Sequence, residues 1–253
     1  MEKIVFFSSL VCLPITIWAQ MPDSVYERIC RKGFFLLLGL CIALNTNAQV
    51  SYDTLPNLPE HYTLRLEKFK KEPVVTGKIL FLGNSITEGG NWRKLLKDSS
   101  IINRGISGDN TFGVLQRLDE ITKRKPSRIF LLIGVNDLSK NIPNEAIIEN
   151  IFAIVGKIRS ASPKTKIFVQ SLLPVNPGVK NFPVNFARQE NILAINGQVK
   201  KYGTVFKFTY VDIYGQFLDK QNMLDARFTD DGLHLNAAGY LHWVSYLKKS
   251  AYL

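Results

Sequence analysis

Five short apolar runs, each followed by sequence of helical periodicity, set the limits on what this chain can fold into. The runs cover residues 78–82, 100–103, 128–133, 166–173 and 205–211. The third, RIFLLI, is apolar from its second residue onward, as in a strand covered on both faces. Between the runs, Val114, Leu115, Leu118 and Ile121 fall at helical spacing within 111–125, a segment stopped by Pro126. Ile147, Ile151, Ile154, Val155 and Ile158 share one face of a helix opened by Pro143. A helix over about 184–202 is closed by Gly203, and a last one over 236–248 turns Tyr240, Leu241, Val244 and Leu247 inward. Five strands alternating with helices, without internal repeat or long linker, predict one three-layer α/β domain around a mainly parallel sheet. A chain of 253 residues, 46% of them hydrophobic, is long enough to bury such a core.

In that architecture the loops after the strands share one rim, where ligands of open α/β sheets bind. The first such loop is Gly83-Asn84-Ser85. A serine there serves either as a nucleophile or as the N-cap of the next helix, and the stretch alone favours the cap. A nucleophilic serine needs a base, because a free hydroxyl attacks weakly at neutral pH. Of the three histidines, His61 precedes the sheet, and His242 lies off the apolar stripe of the last helix, where exposure is expected. His234 lies just before that helix in Thr229-Asp230-Asp231-Gly232-Leu233-His234. An aspartate three residues earlier, across a glycine turn, can hold one ring nitrogen and leave the other facing a serine. Acyl transfer also needs donors for an oxyanion, and two further rim loops offer Gly105 and the amide of Asn136. Taken singly, these read equally well as a turn glycine and a capping asparagine.

GNSIT, NRGISGDN, GVND and DGLH, in this order at successive strand ends, resemble the four sequence blocks of the SGNH hydrolases, also called the GDSL esterase/lipase family. The resemblance runs from about Lys78 to Tyr246. It implies a flavodoxin-like α/β/α sandwich and a serine ester hydrolase. By position it makes Ser85 the nucleophile, His234 the general base and acid, and Asp231 the residue that orients His234. Gly105 and Asn136, with the Ser85 amide, would then form the oxyanion hole. Asn84 stands where the GDSL name has Asp, as in other members of the family. Thr87 fills the last position of what would be G-x-S-x-G, which argues against an α/β-hydrolase elbow. Asp230 is a rival to Asp231, but only Asp231 has the three-residue spacing. The stretch after residue 103 is most similar to the platelet-activating-factor acetylhydrolase-like and carbohydrate-esterase branches.

The first 48 residues read as targeting sequence. Arg28, Arg31 and Lys32 precede an apolar run over 33–44 and then Thr46-Asn47-Ala48, a secretory signal with cleavage after Ala48. Residues 1–20 repeat the design less well, so Met21 is the expected start and 1–20 an upstream misread. Both apolar runs are shorter than the roughly 20 residues of a membrane span. The expected organisation is a signal segment over 1–48, an arm over 49–77 carrying a short helix at about 64–71, and a hydrolase domain over 78–253. Localisation is accordingly periplasmic or extracellular. Cys12, Cys30 and Cys41 all fall in the first segment, leaving the mature chain without a thiol.

The formal net charge of +11 comes from lysines and arginines scattered along the chain, and no nucleic-acid motif accompanies them. HExxH, P-loop and GxGxxG patterns are absent, and three dispersed histidines make no ligand cluster, so neither metal nor cofactor is expected. The expected substrate is a small acyl, acetyl-type ester, most readily on a sugar. Phe112, Asn176 and Phe182 are candidate pocket residues from their loop positions. A lipase, lysophospholipase or thioesterase is the alternative of the same class, and a catalytically silent carbohydrate-binding protein that of another. The sequence does not specify an oligomeric state.

Overall fold

A computed structural model describes residues 52–253; the signal-type segment 1–48 lies outside the described residues. The chain runs α1 (Pro59–Lys71), β1 (Ile79–Gly83), α2 (Ser85–Glu88), α3 (Trp92–Leu96), β2 (Ile102–Gly105), α4 (Thr111–Gln116), α5 (Leu118–Thr122) and β3 (Arg128–Leu132). It continues through α6 (Val135–Ser139), α7 (Asn144–Ala161), β4 (Lys166–Gln170), α8 (Gln189–Tyr202), β5 (Thr209–Val211) and α9 (Ala237–Lys249). All five strands are parallel, in the order β2-β1-β3-β4-β5. Helix α3 packs with α9, and α7 packs with α4, α5 and α8, giving the two helical layers of the sandwich. The strand order reverses between β1 and β3, so the crevice for a ligand opens above the ends of these two strands.

Register and ring stacking organise one face of the sheet. Phe81, Phe130 and Phe168 are cross-strand neighbours, with ring centroids 4.9 and 4.8 Å apart. Trp92 stacks on Phe81 at 3.9 Å, and Trp243 meets Trp92 edge-on at 4.9 Å. Both indoles are fully buried and satisfied, donating at 2.8 Å to Thr87 O and Gln170 Oε1.

Several boundaries differ from the sequence reading. The segment 111–125 is two helices broken at Arg117, whose guanidinium is drawn inward. It pairs with Asp109 at 2.9 Å, both side chains wholly buried, and donates from Nη2 to Gly83 O and Arg104 O. The helix expected from residue 184 is a single 3-10 turn over Val184–Phe186, and regular helix begins at Gln189. The second strand ends at Gly105 rather than Asn103, because Gly105 pairs with Gly83. The fourth stops at Gln170; beyond it, the Leu172 amide is taken by the Asn196 side chain at 2.8 Å. The fifth is only Thr209–Val211, preceded by Lys207 at φ 57. In α9, Leu241 points outward and Trp243 takes the inward place. His242 is half-buried rather than exposed, stacked on Phe228 with Nε2 2.8 Å from Gln216 O.

The segment before the sheet is fastened to it. Helix α1 starts at Pro59, a residue suited to a first helical turn. Buried Arg124 caps its other end, donating to Phe69 O and Pro73 O and pairing with Glu120, a cation where the helix dipole favours one. Arg104 bonds Glu72 and Glu120, its guanidinium 4.3 Å above the Phe69 ring.

Removing one partner of a wholly buried ion pair strands the other charge. Arg117→Met should therefore lose about 3–5 kcal/mol of unfolding free energy in urea denaturation at pH 7. A loss below about 1 kcal/mol would show that Asp109 does not depend on the pair.

Candidate active site

Strand β1 delivers Ser85 to the rim through a tight approach. A Cβ on Gly83 would fall 2.2 Å from Leu132 O and 2.4 Å from Thr87 Oγ1, so the turn requires glycine. Asn84 is the N-cap of α2, its side chain accepting from the Ile86 amide at 3.1 Å. The cap that the local sequence assigned to Ser85 thus belongs to Asn84. Ser85 is the first helical residue, and its N–H has no acceptor among the described residues.

The turn before α9 brings its groups back to that hydroxyl. Gly232 has φ +78, and a Cβ there would meet Asn176 O at 2.2 Å. Thr229 Oγ1 accepts the Gly232 amide at 2.8 Å, and the bend places Asp231 beneath its own downstream backbone. Asp231 Oδ1 accepts the amides of Leu233 at 2.9 Å and His234 at 2.7 Å, while Oδ2 lies 2.7 Å from His234 Nδ1. Burial works to raise the Asp231 carboxyl, but the bonds from the His234 ring and the two amides outweigh it and hold it below the ordinary carboxylate range. An ionised Asp231 makes Nδ1 the donor and leaves Nε2 as an acceptor, 2.9 Å from Ser85 Oγ across 149 residues of sequence. Asp230 makes a 3.4 Å contact with Asn236 Nδ2 and none with the imidazole.

The third group is Asn136, buried in the first turn of α6, a helix absent from the sequence reading. Its Nδ2 donates to Asp109 O at 2.7 Å, which aims the amide and leaves its second hydrogen available. Gly105 does not join it. The Gly105 N–H donates to Asn103 Oδ1 at 2.8 Å, and a Cβ at this position would lie 2.1 Å from the Glu88 amide nitrogen. Gly105 is therefore a close-approach glycine between β2 and α2, and its assignment as an oxyanion donor is corrected. The unpaired amide of this loop is instead that of Gly108, which has φ +78, precedes the residue that orients Asn136, and whose N–H has no partner among the described residues. The signal for it was the second glycine of NRGISGDN, indistinguishable by composition from the first.

Of the other candidates, Asn176 and Phe182 border the turn that carries Asp231 and His234. The Asn176 amide donates to Gly232 O at 2.8 Å, its side chain bonds Leu224 O and the Gly178 amide, and the Phe182 ring lies against Gly232. Asn176 thus builds the loop. Phe112 is a partly buried residue packed against the core. A hollow of about 10 Å³, room for one water-sized group, is lined by Asn84, Leu132, Val135, Leu172 and Leu233 among others. Asn84, Val135 and Leu233 are the chain neighbours of Ser85, Asn136 and His234. No group of metal-ligating side chains occurs among the described residues.

Residues 81–241 match the model of the GDSL-like lipase/acylhydrolase family. The chain is 31% identical over 190 residues to platelet-activating factor acetylhydrolase IB subunit alpha2 of Rattus norvegicus, covering 72% of this chain and 78% of the relative. A solved structure from Streptococcus pneumonia superposes with a TM-score of 0.69 at 30% identity, over 76% of this chain and 94% of its own. An acetyl-xylooligosaccharide esterase from Geobacillus Stearmophilus shares the fold, with a TM-score of 0.56 at 18% identity, over 70% of this chain and 95% of its own. The chain belongs to the GDSL-like lipase/acylhydrolase family, the SGNH hydrolases, and is a carboxylic ester hydrolase.

The geometry separates the two neighbouring aspartates. Asp231→Ala should lower turnover of nitrophenyl acetate by about four decades, whereas Asp230→Ala should stay within about threefold of the parent, because Asp230 does not touch the imidazole. Equal losses would remove the assignment of Asp231.

Proposed function

We propose that this protein is an exported serine esterase that removes short, acetyl-type acyl groups from carbohydrate esters through an acyl-enzyme. The observation that carries the proposal is the unbroken chain from Ser85 Oγ to His234 Nε2 and from His234 Nδ1 to Asp231. His234 takes the Ser85 proton as Oγ attacks the ester carbonyl. The oxyanion rests on the N–H groups of Ser85 and Gly108 and on the Asn136 amide. Collapse of the tetrahedral intermediate expels the alcohol, which leaves with the proton held on His234. Water, deprotonated by His234, then attacks the acyl-serine and releases the acid and free Ser85.

The acetylhydrolase relative and the acetyl-xylooligosaccharide esterase neighbour support a short acyl group on a sugar. Export rests on the signal-type sequence of residues 1–48. A lipid ester is the second reading, favoured by Leu55 and Leu58, which are 60% and 51% exposed beside the Gly108 loop.

A fluorophosphonate should label the protein once, at Ser85, and Ser85→Ala should abolish labelling and hydrolysis together. Across nitrophenyl acetate, octanoate and palmitate, kcat/KM should fall with chain length, and acetylated xylan fragments should be deacetylated. Labelling elsewhere would overturn the mechanism, and a preference for palmitate would replace the sugar ester with a lipid.

A further inference from the structure

Glu88 stands apart from the triad yet touches the loop on which the oxyanion donor depends. It is the last residue of α2, one turn after Ser85, and its carboxylate gathers three groups from two other segments. Oε2 accepts the Ser107 amide at 2.5 Å. His61 Nε2, on α1, lies 3.0 and 3.2 Å from the two carboxylate oxygens. Arg65 Nε, one turn further along α1, lies 3.1 Å from Oε1, and its Nη2 donates to Gly105 O at 3.1 Å. Burial works to raise Glu88, but the bonds from His61 and Ser107 and the charge of Arg65 prevail and hold it below the ordinary carboxylate range. It is an anion at neutral pH, and so a strong acceptor for a backbone amide.

The loop after β2 is held at nearly every peptide. The Ile106 amide bonds Gly83 O, the Ser107 amide bonds Glu88, Gly108 O accepts from the Asn57 amide, and Asp109 O accepts from Asn136. Of the amides of residues 105–109, that of Gly108 is left without an acceptor among the described residues, between the bond at Ser107 and the bond at Gly108 O. An oxyanion donor is effective when it is aimed before the reaction begins, so the groups that fix the flanking peptides fix the donor. Three of the residues that hold this arrangement come from the segment before the sheet. Asn57 lies just ahead of α1, and His61 and Arg65 brace Glu88 from the helix itself. That segment precedes residues 81–241, which match the family model.

We propose that Glu88 is a positioning residue for the oxyanion hole: it clamps the Ser107 amide so that Gly108 N–H faces the acyl carbonyl, and His61 and Arg65 make α1 a working part of the active site. The proposal rests on the serine-esterase reading above. A purely structural Glu88 would serve only to dock α1, and Glu72 supplies the comparison. Glu72 also joins α1 to the sheet, through Arg104, without touching the loop.

The test combines steady-state kinetics on nitrophenyl acetate with hydrogen–deuterium exchange of residues 105–109 in the same proteins. Glu88→Ala should lower kcat about 10- to 100-fold, with KM within about threefold, and should speed exchange in 105–109. Glu88→Gln keeps an acceptor for Ser107 and should restore kcat to within about threefold of the parent. Glu72→Ala should leave kcat and loop exchange unchanged while lowering the denaturation midpoint. Unchanged exchange in Glu88→Ala, or equal kcat losses in Glu88→Ala and Glu72→Ala, would overturn the clamp. Absence of hydrolysis by the parent protein would overturn the esterase reading instead, and the exchange comparison would still decide the role of Glu88.

Discussion

The buried guanidinium of Arg117 is the contact on which the reacting end of this molecule depends. It neutralises Asp109 and donates to the carbonyls of Gly83 and Arg104, so one side chain binds the ends of β1 and β2 and the loop that follows β2. Burial pushes Asp109 up to about 6, against the pull of Arg117, which is the cost of burying a carboxylate and the reason its partner is indispensable. From Asp109 the organisation passes outward, because its carbonyl oxygen aims the Asn136 amide. Gly83, held by the same guanidinium, is the last strand residue before Asn84 and Ser85. A helix break in mid-sequence is the local consequence of placing this arginine in the core.

Around that anchor, the segments carrying Ser85, Asn136 and His234 reach the rim by different physical means. Ser85 arrives on a strand-to-helix turn that admits no Cβ at Gly83 and is capped by Asn84. Asn136 arrives on a short helix and is oriented from the neighbouring loop. His234 arrives on a glycine turn in which Asp231 accepts two backbone amides before it reaches the ring. The imidazole is thus oriented by a carboxylate that is itself fixed, so its Nε2 is presented to Ser85 with little freedom to lose.

The architecture was legible because buried parallel strands must be continuously apolar and their helices must carry one apolar face. The juxtaposition of Ser85, Asp231 and His234 was legible because it follows from residue type and order along the rim. What escaped depends on tertiary contacts. Arg117 sits within good helical spacing, and only its buried carboxylate and carbonyl partners break the helix there. Gly105 and Gly108 are two residues of one motif. What separates them is an Asn103 bond at the first and a positive φ at the second, which composition does not carry. In α9 the apolar spacing fits Leu241 as well as Trp243, and the partner for a buried indole N–H, Gln170, is 73 residues away. The bond from His61 to Glu88 joins a helix before the sheet to one after its first strand and was invisible for the same reason.

The central claim is that Ser85 Oγ becomes the acyl carrier when His234 removes its proton. Rapid quenching of the protein with excess nitrophenyl acetate, followed by intact-mass and peptide-mass measurement, tests it most directly. The account predicts a transient gain of one acetyl group on the peptide containing Ser85, lost again on incubation and absent from Ser85→Ala. Steady hydrolysis with no acetylated intermediate in any time window, or acetylation confined to another residue, would contradict it.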